Sequence, residues 1–133
     1  MSREEAPDLA ATPYVNLTTY RRNGTPVTTP VWIVTEGGQL YVLTEVHTGK
    51  AKRARATGRV QVVPCNGSGR RSFGTPRAGI ARVVTDPAQL RRVNDALERK
   101  YGRWLVRGIR WIYWLRGMRG KDVALELHLD GAA

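Results

Sequence analysis

The chain has 133 residues, enough for one domain whose core needs no disulfide or metal to hold it together. Twenty-two lysines and arginines stand against 11 aspartates and glutamates, so the net charge is +11, which indicates an anionic partner. Cys65 is the only cysteine, which excludes an intramolecular disulfide. The two histidines, His47 and His128, lie too far apart in sequence for zinc-ligand spacing, so we expect no metal site.

The N-terminal segment is acidic and polar. No apolar run follows Met1 to Asp8, so we expect neither a signal peptide nor a membrane span there. We expect a single domain over residues 1–133, with a flexible tail over 1–10. A lone cysteine fits a reducing compartment, and we therefore expect a cytoplasmic protein.

The first half of the chain has the pattern of an antiparallel meander. Strands are predicted over Tyr14–Tyr20, Val27–Thr35 and Gln39–Glu45. Asn23-Gly24 predicts a type I′ hairpin turn, and Gly37-Gly38 predicts a second tight turn. Pro30 indicates an edge strand, a bulge or an interruption of the second strand, because proline cannot donate to a sheet ladder.

The middle of the chain predicts a short helix, a strand, a loop and another strand. Lys50 to Thr57 alternates alanine with lysine and arginine and ends before Gly58, as a helix closed by a C′ glycine would. Arg59–Val63 and Ala78–Val84 are predicted strands. The segment between them, Asn66–Pro76, has the composition of a loop.

Two further helices and a last strand follow. Asp86-Pro87 supplies an N-cap and an N1 proline for a helix that ends before Gly102. Arg103–Gly117 also predicts a helix, with arginines on one side and apolar residues on another. Apolar residues at alternate positions from Val123 to Leu129 predict a half-buried strand. We therefore expect a mainly β protein, a six-stranded antiparallel β-barrel with α-helices packed outside it.

Hydroxyl and cationic side chains gather between the third strand and the short helix. They are Thr44, Thr48, Lys50, Lys52, Arg53 and Arg55. Lysine offers a point charge, arginine a bidentate fork and threonine a neutral donor, and a helix start near Gly49 or Lys50 would add free backbone N–H groups. The cluster suits a phosphate, although a solvated basic face has the same composition. Nucleophile-elbow, P-loop, zincin and dinucleotide-binding motifs are absent from the sequence.

The order of these features resembles one superfamily. Residues 15–63 are similar to the pyridoxamine-phosphate-oxidase-like split β-barrels, which bind FMN or F420. Within them the chain looks closest to the class B F420-dependent oxidoreductases. The stretch T-x-R-x-x-G-x-P-x-x-x-P-V-W corresponds to Thr19 to Trp32, and G-K-x-K-R-x-R corresponds to Gly49 to Arg55.

This resemblance implies a cofactor site. Lys50, Lys52, Arg53 and Arg55 would hold the cofactor phosphate and nearby anionic groups, with help from Thr44 and Thr48, while Pro30, Val31 and Trp32 would lie along the flavin-like ring. Trp32 fits core packing equally well. Family members are typically homodimers with the cofactor at the subunit interface. The resemblance implies hydride transfer to an unsaturated or conjugated small-molecule acceptor, and no catalytic acid is assigned, although Tyr20, His47 and Tyr113 carry suitable protons.

Coenzyme F420 carries an oligoglutamate tail that FMN lacks, so its pocket should hold more positive charge than a phosphate requires. Arg70, Arg71 and Arg77 are candidates for this tail, or are simply exposed charges. FMN is the alternative cofactor.

Three other interpretations stay open. A non-catalytic carrier of the cofactor would use the same binding residues. A nucleic-acid-binding barrel would use basic and aromatic side chains, yet the aromatic residues here do not follow one set of strands. Finally, Trp104, Trp111 and Trp114, interleaved with arginines, suit a helix that covers the barrel, caps a substrate cleft or touches anionic lipid.

Overall fold

The computed structural model describes residues 9, 11–45, 48–115, 117 and 122–130. It contains seven strands and three helices within these ranges, in the chain order β1 Val15–Tyr20, β2 Pro26–Val31, β3 Val34–Glu36, β4 Gln39–Glu45, α1 Gly49–Ala56, β5 Arg59–Pro64, β6 Arg77–Val84, α2 Pro87–Tyr101, α3 Arg103–Leu115 and β7 Asp122–Leu129. The elements predicted from sequence are all present, which confirms a mainly β, antiparallel split barrel with helices outside it.

The seventh strand arises because the predicted second strand is divided. Trp32 and Ile33 separate β2 from β3, and the two pieces lie at opposite edges of one antiparallel sheet with the order β2-β1-β5-β6-β7-β4-β3. A sheet whose two edges are joined by two residues must curl on itself. Pro30 lies in an edge strand, the part of a sheet where proline is tolerated.

The first hairpin turn differs from the prediction. Tyr20 pairs with Pro26, so five residues connect the strands instead of the two of a type I′ turn. The Gly24 N–H group donates to the Arg21 carbonyl at 2.8 Å, and Gly24 has φ 90° while Asn23 does not have positive φ. A type I′ turn over Asn23-Gly24 was therefore wrong. The turn at Gly37-Gly38, where both residues have positive φ, matches its prediction.

The concave side of the sheet holds the main core. Its largest fully buried members include Val15, Leu17, Val62, Leu125 and Leu127. Leu9, the one described residue of the predicted tail over 1–10, is also buried there; the rest of that segment lies outside the described residues.

A second core forms where α2 packs on β3, β4 and β7. Asp86 caps α2 by accepting the Gln89 N–H group at 2.9 Å, as predicted. Because α2 covers the outer face of β7, Val123 to Leu127 are buried on both faces. The expectation of a half-buried strand was therefore wrong.

The end of α2 fastens the link between β2 and β3. The Tyr101 hydroxyl accepts the Ile33 N–H group at 3.0 Å and donates to the Pro13 carbonyl at 2.7 Å. Lys100 Nζ donates to the carbonyls of Thr12 and Ile33, at 2.8 and 2.6 Å. Burial raises the pKa of Tyr101 to about 12, so this hydroxyl stays protonated at neutral pH.

Candidate anion-binding site at the start of α1

Helix α1 sits closely on the barrel because its inner face is made of alanine. Ala51 and Ala54 are buried, and the helix packs on β1 and β6. Thr48 caps the helix, with its hydroxyl oxygen accepting the Ala51 N–H group at 3.3 Å. The helix itself provides no acceptor for the amides of Gly49 and Lys50 in its first turn. This end of the helix is therefore a polarised surface that favours negative charge.

The two threonines form a short chain of hydrogen bonds. Thr48 Oγ1 donates to the Glu45 carbonyl at 2.9 Å. A hydroxyl has one proton, so Thr44 must be the donor in the 2.9 Å bond between the two hydroxyl oxygens. Both hydroxyl protons are thus engaged inside the chain, and in this arrangement the threonines shape the helix start rather than donate to a ligand.

Arg53 is held from behind and points its free nitrogens at the helix start. Its Nε donates to Thr19 Oγ1 at 2.5 Å, and Thr19 is fully buried on β1. The guanidinium folds over Gly49 so closely that a Cβ atom there would lie 2.5 Å from Nη1. With Nε anchored, the two terminal nitrogens form a fork beside the first-turn amides, a geometry that matches a phosphate or carboxylate.

Lys50 adds a second cation on the same flank. Burial lowers its pKa, and the nearby Arg53 charge lowers it further. The pKa of Arg53 is also lowered, by burial first and then by Arg21 in the β1–β2 turn. Neither Lys50 nor Arg53 forms an ion pair within the described ranges. We call Thr19, Gly49, Lys50 and Arg53 the basic cluster: two partly desolvated cations that no carboxylate of the described part of the chain neutralises.

Lys52 and Arg55 do not belong to this cluster. Successive helix residues turn by roughly 100°, so Lys50 and Arg53 share one flank of α1 while Lys52 and Arg55 share the other, with the buried alanines between them. Both side chains are exposed. The four cations of the predicted phosphate site are thus divided into two pairs on opposite flanks of α1.

The residues predicted to follow the cofactor ring lie at the other end of β1. Val31 pairs with Val15, four residues or roughly 13 Å along the strand from Thr19. Pro30 lies under Gly69 on the outer face, Val31 is partly buried against the barrel core, and Trp32 stacks on Tyr101 with 4.4 Å between ring centroids. Trp32 therefore has one ring face occupied by core packing.

The loop 66–76 is at this same end of β1. The Asn16 amide donates to the Gly69 carbonyl at 2.8 Å, which holds the loop against β1. A concavity of about 720 Å³ opens beside it, with Tyr14, Cys65 and Phe73 in its wall. Burial raises the pKa of the Cys65 thiol, so it is a poor nucleophile at neutral pH. Arg70 and Arg71 are exposed, and Arg71 lies over the Phe73 ring.

Sequence reasoning did not assign Thr19 to the site, and it named Gly49 only as a possible helix start. Thr19 interrupts the apolar inward series Val15, Leu17 with a hydroxyl, and a polar residue on a core face is a usable signal. Gly49 matters because Arg53 occupies the space of its side chain, which only coordinates reveal. Of the three proton carriers considered, Tyr113 is exposed, Tyr20 has Arg59 over its ring at 4.3 Å, and His47 lies outside the described residues.

A second polar cluster surrounds a carboxylate on β7. Glu126 is only 8% exposed and accepts hydrogen bonds from Tyr41, Arg82 and His128, at 3.1, 3.2 and 2.8 Å. Gln89 donates to the Tyr41 hydroxyl at 2.8 Å and reaches Glu126 at 3.3 Å. Burial alone would raise the pKa of Glu126, but the bonds from His128, Tyr41 and Arg82 outweigh it and lower the pKa. We call these five residues the carboxylate cluster.

A curled antiparallel sheet with helices packed outside it is the split-barrel fold of flavin- and deazaflavin-binding oxidoreductases. The sequence profile of pyridoxamine 5′-phosphate oxidase matches residues 1–129. The chain therefore belongs to the pyridoxamine 5′-phosphate oxidase family. Comparison with curated proteins found no match.

Solved structures share the fold over nearly the whole chain. A conserved hypothetical protein of Mycobacterium tuberculosis, Rv2991, is 23% identical with a TM-score of 0.68, covering 98% of this chain and 81% of its own. The haem storage protein HutZ of Vibrio cholerae is 12% identical with a TM-score of 0.70, covering 93% and 86%. A protein described as an F420 reductase is 18% identical with a TM-score of 0.57, covering 92% and 91%. These identities establish a common fold and no more.

Proposed function

We propose that the protein is an F420-dependent oxidoreductase that transfers a hydride between the deazaflavin cofactor and an unsaturated or conjugated small-molecule acceptor. The observation that carries this proposal is the basic cluster: two partly desolvated cations that have no counter-ion among the described residues, next to the open start of a helix, in a family whose fold serves flavin and deazaflavin chemistry. Leaving two such charges unpaired costs free energy, which an anionic ligand would recover.

The cluster fits a phosphate group. Arg53 Nη1 and Nη2 would bind two oxygens as a fork, Lys50 Nζ would add a point charge, and the amides of Gly49 and Lys50 would complete the donor set. Thr44 and Thr48 would keep the helix start in this shape. Lys52 and Arg55, on the far flank, would attract the ligand through longer-range charge rather than grip the same phosphate.

The ring end of the cofactor would lie toward Pro30, Val31 and Trp32. The distance of roughly 13 Å between the two ends of β1 suits an elongated ligand with its phosphate at one end and its ring at the other. Arg70 and Arg71, in the loop at that second end, and Arg77, at the start of β6, would bind a carboxylated tail, which is the reason to prefer F420 over FMN. The bound deazaflavin would supply the hydride chemistry, while these residues would bind and orient it.

We further propose that the protein acts as one domain in the cytoplasm, as a homodimer. Pairing of two copies would protect the exposed edges of β2 and β3 from solvent and would help close the cofactor cleft. Light scattering of the purified protein across concentrations tests the dimer directly.

The central experiment is equilibrium binding of F420 and, separately, FMN to the purified apo-protein by fluorescence titration. Lys50→Ala and Arg53→Ala should each weaken binding by roughly tenfold or more, since each removes a charge-assisted contact. Lys52→Ala is the matched control, because it removes the same charge from the same helix on the opposite flank. It should weaken binding less than threefold, an effect of general charge alone.

The outcomes separate the alternatives. Tighter binding of FMN than of F420 would mean that FMN is the cofactor and that the proposed binding site is still correct. Equal losses of affinity in Lys50→Ala and Lys52→Ala would mean that the basic cluster is a solvated basic face and not a specific site. Binding of F420 without turnover of any conjugated acceptor, such as a quinone, would favour a cofactor carrier over an enzyme.

A further inference from the structure

Helix α3 presents a large apolar face to solvent. Its exposed members follow helical spacing along one side: Trp104, Leu105, Gly108, Trp111, Ile112 and Leu115. We call this set the aromatic face. Trp104 is 81% exposed and Trp111 is 62% exposed, while Val106 is the one buried residue of α3. Trp104 and Trp111 therefore do not cover the barrel, and a contiguous apolar face of this kind marks a contact surface.

The dimensions of α3 decide how it would meet a bilayer. Thirteen residues make a helix about 20 Å long, shorter than the roughly 30 Å hydrocarbon core. Within the described residues no helix is long and apolar enough to cross a membrane. An amphipathic helix of this length lies along the headgroup region with its apolar side down.

The charge beside the aromatic face favours an anionic surface over a second copy of the chain. Arg103 and Arg107 border the face, and α3 contains no acidic residue. Arg107 is 3.6 Å from Glu98, whereas Arg103 has no ion pair within the described part of the chain. A second copy packed face to face would bring arginines toward arginines, while a phospholipid surface supplies the opposite charge.

We propose that α3 docks the protein on the surface of anionic phospholipid bilayers, with Trp104 and Trp111 at headgroup level and Arg103 among the lipid phosphates. Tryptophan favours this depth because its ring is apolar and its N–H group needs a polar partner. The chain's net charge of +11 adds long-range attraction to the same surface. This surface is separate from the basic cluster on α1, so the proposal does not rest on the cofactor.

Sedimentation with vesicles tests the proposal. The protein should bind vesicles of equal parts phosphatidylglycerol and phosphatidylcholine, and should bind pure phosphatidylcholine at least about tenfold more weakly. The double substitution Trp104→Ser with Trp111→Ser should lower affinity for the mixed vesicles by about tenfold or more. Ile80→Ser is the matched control, since Ile80 is 52% exposed on β6, outside α3, and this variant should bind like the parent chain.

Two further measurements keep the test decisive. Arg103→Gln should weaken binding about threefold and reduce its sensitivity to salt. Trp104→Ser alone is measured in parallel, with far-UV circular dichroism, in case the double variant unfolds. Equal binding by the parent chain and the folded tryptophan variants would overturn the proposal, because general charge would then suffice. Failure of the parent chain to bind mixed vesicles would also overturn it. If the protein is a dimer and the tryptophan substitutions dissociate it, the aromatic face binds a second copy of the chain instead.

Discussion

The carboxylate cluster and the basic cluster differ in whether their charge is paired with an opposite charge. Glu126 is buried with four partners, including the Arg82 guanidinium, so its charge is neutralised inside the fold. Lys50 and Arg53 are desolvated, and their ion-pair partners are missing from the described part of the chain. A polar group that serves only the fold is normally satisfied by the fold. Charges left uncompensated are therefore the better guide to a ligand.

The largest expected effect comes from breaking the satisfied cluster. Glu126→Ala leaves Tyr41, Arg82 and Gln89 without their shared acceptor, and we expect the free energy of unfolding to fall by about 3 kcal/mol. Urea unfolding followed by circular dichroism measures it. His128→Ala removes an exposed partner of the same carboxylate and should cost less than about 1 kcal/mol. Similar losses for the two variants would mean that the bonds from Tyr41, Arg82 and Gln89 add little to stability.

The next effect separates ligand binding from stability at the basic cluster. Gly49→Ala places a Cβ atom 2.5 Å from Arg53 Nη1, so the guanidinium must move. We expect affinity for the anionic ligand, tested with inorganic phosphate and F420 by calorimetry, to fall by roughly tenfold. Stability should change little, because the displaced atoms are the end of a flexible side chain and alanine is the better helix former. Gly108→Ala in α3, where nothing lies within 4 Å, should leave phosphate affinity unchanged; unchanged affinity in Gly49→Ala itself would remove Arg53 from the site.

A smaller loss of stability should appear at acidic pH. The pKa of Glu126 is lower in the folded protein than its ordinary value of 4.5, so the unfolded chain binds the proton more readily. The stability from this group is thus fully present above about pH 4.5 and is lost as pH falls through the lowered pKa. Thermal melts of the parent chain and of Glu126→Gln from pH 7 to pH 3 measure it. The variant should lose less stability over that range, and parallel curves would contradict the assignment.

The smallest expected effect is a gain of stability. Lys50→Met removes a desolvated charge that lies one helical turn from Arg53, and we expect the apo-protein to gain about 0.3–0.5 kcal/mol, the size of a like-charge pair on a helix. Differential scanning calorimetry without ligand detects it. The same variant should lose the rise in melting temperature that phosphate gives the parent chain. A destabilised Lys50→Met protein would show that Lys50 serves the fold.

Local sequence signals predicted the fold well and the site only in part. Gln39–Glu45 and Pro87–Tyr101 have the expected bounds, because alternation, an N-cap and a terminal glycine all act within a few residues. Pro30 indicated an interruption of the second strand as one of three alternatives, but the position of the break at Trp32 and Ile33 was not predicted, since Tyr101 and Lys100 bind there from far along the chain.

The same distinction holds at the site. The cluster of cations around α1 was visible in the sequence, but its split into two flanks follows only once the buried side of the helix is known. The anchoring bond from Arg53 to Thr19 joins residues 34 positions apart, which periodicity cannot detect. The burial of β7 on both faces likewise depends on α2, a long-range contact.

The two-residue link between β2 and β3 has a topological consequence. The two edge strands of the sheet, β2 and β3, are consecutive in the chain. No hydrogen-bonded ladder joins them, so the backbone of the two-residue link closes the barrel between them. A single cleavage between Trp32 and Ile33 would turn this closed loop into an open ribbon with two loose ends. A cut in the loop 66–76 would leave the circumference intact, because β5 and β6 remain paired side by side.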